Sequence, residues 1–318
     1  VLIEIDGRCI EIERPEKWVW YDAGFTIMDL AKYYVAVSPW LLPYLDRRPV
    51  VYEIYPGTIN GPNSFEQDPP ASAPRWLKRT KIRGHERLVT YAIVDSPATL
   101  VYLVSLFMVT LHVWESTTLE IECPDFLLLD LDPVGDCTLG RLARAALDAR
   151  ELLQEIGIHA ALVKTSGARG LHVMVPLVPE NDFKVVRALT QEIARELAAR
   201  HPDRITAERE IPKRPQGTVY VDWGQMGRGM TIVPPFSARA CDGAPVSMPI
   251  SWDDVERYAR SRSKRPPLEE FRRYNIATAV EMLRKSGDPW EARRPVSLQP
   301  AGFTRQPRQS SGNDSKRR

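Results

Sequence analysis

Cysteine is scarce in these 318 residues: Cys9, Cys123, Cys137 and Cys241 stand far apart, with no C-x-x-C pair and no histidine at zinc-site spacing. That excludes a disulfide framework and a structural zinc site, and it suits a reducing cytoplasm. Long apolar runs are missing as well. The longest, residues 98–114, is broken by Ser105, Thr110 and His112 and falls short of the roughly 20 residues a bilayer span requires; it is read as a buried helix, and no membrane partner is expected. Residues 1–14 lack a basic stretch followed by an apolar core, so they do not read as a signal peptide. Nor is there an excess of one charge: 43 Lys and Arg face 41 Asp and Glu, a formal charge of +2, which alone announces no nucleic-acid partner.

What is present is globular in balance, with 43% apolar and 26% charged residues, enough for one large or two closely packed domains. Charge is uneven along the chain. Residues 291–318 carry a net +5 and everything before them −3. From residue 293 onward Pro, Ser, Gln and Arg dominate, a composition that predicts disorder.

Residues 1–12 read as strand and 25–36 as helix, while 47–76, rich in Pro, Gly and Asn, suit short strands and ordered loops. Phe126, Leu127, Leu128 and Leu129 form an apolar run closed by Asp130, Leu131, Asp132 and Pro133, the pattern of a buried strand with acids at its end. A helix over 142–156 follows. Strands are predicted at 159–165, 171–175, 218–223 and 230–233, with helices at 186–197 and 252–260. No internal repeat is found.

Asp130 and Asp132 are two apart, so on a strand both point to one side. Such a pair is either a solvated turn or two crowded carboxylates that a divalent cation would neutralise. The preceding apolar run, and Asp222 after Val219, Tyr220 and Val221, favour the metal reading. Ser166, Gly167, Ala168, Arg169 and Gly170 join two strands, either as an ordinary hairpin turn or as an anion-binding one in which Ser166, Arg169 and His172 face phosphate or sugar. Lys213, Arg214 and Arg239 also flank strands, and each alone reads as a solvated surface cation. His112, near the end of the long apolar stretch, reads alone as a hydrogen-bonded core residue.

Taken in order, the segments around His112 and Trp114, Phe126 to Pro133, Lys164 to Val173, Val219 to Trp223 and Pro235 to Ala240 resemble the polymerase domain of bacterial ligase D, in the archaeo-eukaryotic primase superfamily. Segments 244–252 and 287–290 are similar to its closing motifs. The resemblance implies an α+β (mixed α/β) fold: a primase-like core of mixed sheets with flanking helices. Residues 1–290 would be the catalytic domain, with an N-terminal part to about 120, a core over about 121–260 and closing helices to 290, followed by the basic tail 291–318. It implies nucleotide addition, with a preference for ribonucleotides, to DNA ends, gaps or overhangs during non-homologous end joining, in the cytoplasm at the nucleoid. Two divalent ions, Mn²⁺ or Mg²⁺, would be held by Asp130, Asp132 and Asp222. Nucleoside triphosphate would meet His112, Ser166, Arg169, His172, Arg214 and Arg239, and DNA would meet Lys17 and Phe65. Ku and an ATP-dependent ligase are the implied protein partners. No ligase or nuclease motif accompanies these segments, which suits a stand-alone, diverged member or part of a longer chain.

The N-terminal third departs from the pattern. Glu53 and Ile54 precede Tyr55 and Pro56 where the family usually has basic residues, Gln67 and Asp68 follow Phe65 and Glu66 where a lysine is usual, and Ile27 replaces a phosphate-gripping lysine. Each lost cation would weaken phosphate binding by about 1–2 kcal/mol where partly desolvated. Two other readings compete. In a haloacid-dehalogenase-like phosphohydrolase Asp130 would be nucleophile and Asp132 general acid, but Arg169, His172 and Arg239 would have no task. In a non-catalytic DNA-end-binding module the three acids would have none.

Overall fold

The structure, a computed structural model, describes residues 1–84, 87–262 and 266–298. The chain opens with a hairpin, β1 (Leu2–Ile5) and β2 (Arg8–Glu11), and a short pair, β3 (Trp18–Trp20) and β4 (Phe25–Thr26). Helix α1 (Ile27–Leu45) starts at a capping box in which Thr26 Oγ1 accepts from the Asp29 amide and the Asp29 carboxylate accepts from the Thr26 amide. It runs nine residues past the predicted end at 36, through Pro39 and Pro43. Val37, Leu41 and Leu45 keep burying one face. The Val35 carbonyl, deprived of its helical donor by Pro39, accepts from Ser38 Oγ at 2.8 Å, so the proline does not leave that acceptor unmet.

Strands β5 (Pro49–Ile54), β6 (Ser64–Glu66), β7 (Arg79–Arg83) and β8 (Leu88–Ile93) follow. The apolar stretch 98–114 is not one helix. It divides into α2 (Pro97–Ser105), capped by Ser96, and β9 (Met108–Trp114), with Phe107 at φ +66° making the turn. Continuous apolar character hides the change of period; β-branched Val109, Thr110 and Val113 favour the strand. His112 therefore lies within a central strand rather than at a helix end. Strands β5 to β9 form a six-stranded sheet with the later β15 (Thr231–Ile232) at its edge.

A second six-stranded sheet carries β10 (Phe126–Pro133), which extends beyond the apolar run to include both acids. After α3 (Leu139–Glu155) come β11 (Leu162–Thr165), β12 (Leu171–Pro176), α4 (Phe183–Arg200), β13 (Ile205–Thr206), β14 (Val219–Asp222) and β16 (Pro249–Ile250). Its strand order is β13-β14-β10-β12-β11-β16, antiparallel except for β13 beside β14. Helices α5 (Trp252–Ala259), α6 (Pro267–Phe271) and α7 (Ala279–Ser286) close the chain. One continuous apolar core runs from Ile10 to Leu298 across both sheets, so the mixed α+β architecture expected from the sequence is the one observed. Residues 293–298, predicted to be disordered, are placed against the body: Val296 bridges to Leu177, and Leu298 is buried. The rest of that predicted tail, 299–318, lies outside the described residues. Among the described residues no helix is long and apolar enough to cross a membrane.

Candidate active site

Strand register sets four side chains in a row across the second sheet. Asp222 pairs with Asp130, Asp130 with His172, and His172 with Lys164; register partners share a face, so the order acid, acid, imidazole, amine follows from the backbone. Asp132, two residues along β10, projects to that same face. Burial, then Asp132 and Asp222, pushes the Asp130 carboxyl well above its usual range. Burial followed by Asp222 raises Asp132, opposed by Arg169, Arg214 and Arg239. Asp222 Oδ1 accepts from the Gly224 amide at 2.8 Å and the Tyr220 hydroxyl at 3.2 Å. Asp130 Oδ1 is buried with no hydrogen-bond partner, 3.4 Å from His172 Nε2. Crowded carboxylates and an orphaned oxygen are what a divalent cation with oxygen preference would relieve, so the donor set fits such an ion. Among the described residues no three His, Cys, Asp or Glu side chains close into a ready-made cage; the acids form an open cluster.

Beside the row lies a cavity of about 360 Å³ walled by His112, Asp130, Asp132, Ser166, Arg169, His172 and Arg239. Seven residues singled out in the sequence thus converge there. The turn between β11 and β12 needs its glycines. A Cβ on Gly167, at φ +75°, would stand 2.9 Å from the Ser247 amide nitrogen, and one on Gly170 2.6 Å from the Leu131 carbonyl oxygen. Ser166 Oγ accepts from the Ala168 and Gly170 amides at 3.1 and 3.0 Å, which braces the turn and leaves its own hydrogen free for a ligand. Arg169 is exposed at the mouth, and Arg239 Nε is buried without a partner.

Two buried charges outside the expected site residues support this wall. Lys164 is wholly buried, its Nζ 2.8 Å from His172 Nδ1 and donating to Ser247 Oγ at 2.6 Å. With Lys164 donating, Nδ1 accepts and the ring hydrogen sits on Nε2, toward Asp130. Burial lowers the Lys164 ammonium well below its usual value, against the pull of Asp130, and burial with Lys164 and Arg239 lowers His172 likewise. The second residue is Glu53, present where the family usually has a base. Its Oε1 accepts from the Tyr55 hydroxyl at 2.5 Å and Asn63 Nδ2 at 2.6 Å, and Oε2 lies 3.8 Å from His112 Nε2. Burial works to raise the Glu53 carboxyl, but contacts with His112, Tyr55 and Asn63 outweigh it and hold it at about 2. Burial lowers the His112 imidazole, partly offset by Glu53. Phe65, exposed, meets His112 edge to face with ring centres 5.3 Å apart.

A family model described as the LigD primase-polymerase domain matches residues 26–290. The chain belongs to the LigD primase-polymerase family. It is 27% identical over 248 residues to the multifunctional non-homologous end joining protein LigD of Mycolicibacterium smegmatis, covering 77% of this chain and 32% of that one. It is 29% identical over 263 residues to the bifunctional non-homologous end joining protein LigD of Bacillus subtilis, covering 82% and 40%. The chain thus spans about a third of the length of these curated relatives. The polymerase domain from Mycobacterium tuberculosis ligase D in complex with DNA superposes with a TM-score of 0.80 at 25% identity, covering 89% of this chain and 97% of that one. Within the LigD primase-polymerase frame, four of the expected residues stand outside the cavity wall: Asp222, Arg214, Lys17 and Phe65. Asp222 is the register partner of Asp130, which is in that wall. Arg214 lies 3.5 Å from the centre of the Tyr220 ring and donates to the Glu208 and Arg209 carbonyls, near enough for its charge to act on Asp132. Lys17 sits 4.2 Å from the Phe107 ring centre, its Nζ buried with no hydrogen-bond partner and its ammonium lowered by burial and Arg14. Ile27, in place of a family lysine, is core at the start of α1. Membership in this family removes the phosphohydrolase reading.

Proposed function

We propose that this chain is a nucleotidyltransferase that adds nucleotides, ribonucleotides by preference, to DNA 3′ ends, gaps or overhangs in non-homologous end joining. The observation that carries it is the row Asp222, Asp130, His172 opening on a cavity whose other walls are the phosphate-suited Ser166, Arg169 and Arg239. Asp130, Asp132 and Asp222 would hold two divalent ions, Mn²⁺ or Mg²⁺. Bound there, such ions supply a lowered hydroxyl pKa and neutralisation of phosphate charge. Arg169 and Arg239 meet the triphosphate as planar donors, with His172 beside them, and Arg214 adds its charge from the rim. Ser166 and His112 meet the sugar, while Phe65 and Lys17 lie outside, toward DNA. In the reaction the DNA 3′ oxygen bonds to the α-phosphorus, pyrophosphate departs with the electrons of the broken bond, and the hydroxyl proton passes to solvent. The M. tuberculosis neighbour is a DNA complex, which supports DNA as partner; Ku, an ATP-dependent ligase and a place at the nucleoid follow from the same reading.

The test is incorporation of labelled nucleotide onto a gapped or 3′-overhanging duplex with Mn²⁺ or Mg²⁺. Wild type should extend the strand and Asp130→Ala should not. Binding of DNA with no extension under either ion would contradict the proposal and favour a non-catalytic end-binding module.

A further inference from the structure

Beyond the third acid, the sheet edge carries three side chains to which nucleotide binding gives no task. Trp223, immediately after β14, is half-buried, and the guanidinium carbons of Arg187 on α4 and Arg209 after β13 lie 5.4 and 5.1 Å from the centre of its ring. Among the described residues neither arginine is ion-paired. The acid whose titration feels Arg187 is Glu115, and burial pushes that carboxyl up to about 8, so it offers little neutralising charge at pH 7. Two arginines stacked on one indole present planar donor edges with little freedom left to lose, an arrangement that suits phosphate.

Their place relative to the acids decides which phosphate. Along the sheet the order is β13-β14-β10-β12-β11. Of the cations assigned to the triphosphate, Arg169 and Arg239 come from the β11–β12 turn and its surroundings, on one side of Asp130, and Arg214 stands over Tyr220 of β14 on the other; Arg187, Trp223 and Arg209 gather beyond it, around the end of β14. In an in-line displacement the entering oxygen and the leaving pyrophosphate stand on opposite sides of the phosphorus. With pyrophosphate toward β12, the strand bearing the 3′-hydroxyl arrives over β14. We propose that Arg187, Trp223 and Arg209 seat the phosphodiester backbone of that strand, just behind its 3′ end. The inference rests on the nucleotide-addition reading above.

The experiment measures binding of the full chain to a fluorescent 3′-overhanging duplex across a salt series, for wild type, Arg187→Gln, Arg209→Gln, the double variant and the corresponding Lys variants. Each Gln variant should weaken DNA binding whatever the sequence and reduce the slope of log K against log salt by about 0.7–0.9, the value for one phosphate contact. The Lys variants should keep the slope, and the KM for nucleotide should stay at the wild-type value throughout. Wild-type slope in the double Gln variant, equal slope loss in the Gln and Lys variants, or a change in nucleotide KM instead of DNA affinity would overturn the proposal. A wild-type protein that binds no DNA at any salt would overturn the nucleotide-addition reading with it.

Discussion

Lys164 and Glu53 show how single buried charges shape this site, and neither was legible as functional. In the sequence Lys164 is one polar residue in an apolar strand, and Glu53 reads as a loss of positive charge; only the cross-strand register sets the first opposite His172 and the second opposite Thr110, diagonal to His112. Lys164→Met should leave His172 Nδ1 unpaired, with Ser247 Oγ keeping only its donation to the Thr165 carbonyl, and lower kcat/KM for nucleotide by about tenfold or more, the scale of a hydrogen bond to a charged group. Nitrogen NMR of His172 should show the Nε2–H tautomer in wild type and its loss in the variant. Glu53 has a folded pKa of about 2, below its ordinary 4.5. A depressed carboxylate adds stability above its unfolded value and loses it as pH falls through the folded one, so acid unfolding between about pH 4.5 and 2 should be shallower in Glu53→Gln. Glu115 has the opposite sign: raised to about 8 from 4.5, it costs stability as pH climbs through that window. Glu115→Gln should therefore gain stability relative to wild type between pH 5 and 8, measured by thermal unfolding.

Elements were legible where one period and one set of boundaries held. The run 126–129 with its two acids, and the turn at 166–170, carried their own signals, an apolar strand and paired glycines, and both were found in place. The stretch 98–114 was not, because helix and strand are both apolar when buried on all sides and the break at Phe107 needs no glycine or proline. The length of α1 was hidden by Pro39 and Pro43, ordinary stop signals here offset by burial and the Ser38 hydroxyl. Ser38→Ala should cost about 1 kcal/mol in denaturant unfolding, the worth of one hydrogen bond. Gly170→Ala should cost about 1–3 kcal/mol, because its Cβ meets the backbone of β10 and the strand holding Asp130 and Asp132 must shift.

At the scale of the whole molecule, a formal charge of +2 conceals a −3 body and a +5 terminus. A near-neutral total is compatible with a nucleic-acid enzyme when its cations face phosphate around Asp130 and its surplus lies at the end of the chain. What composition could not reveal was convergence: Ser166, Arg169, His172 and Arg239 come from one turn, one strand and a distant loop, and only the fold joins them. We propose that the row of acids and this cationic cavity form one nucleotidyl-transfer site. Its most direct test is incorporation of a labelled nucleotide at a DNA 3′ end with Mn²⁺ or Mg²⁺, comparing wild type with Asp130→Asn, which keeps shape and removes charge. Extension by wild type and none by the variant is the predicted result; equal extension by both, or none by wild type under any ion, would contradict it.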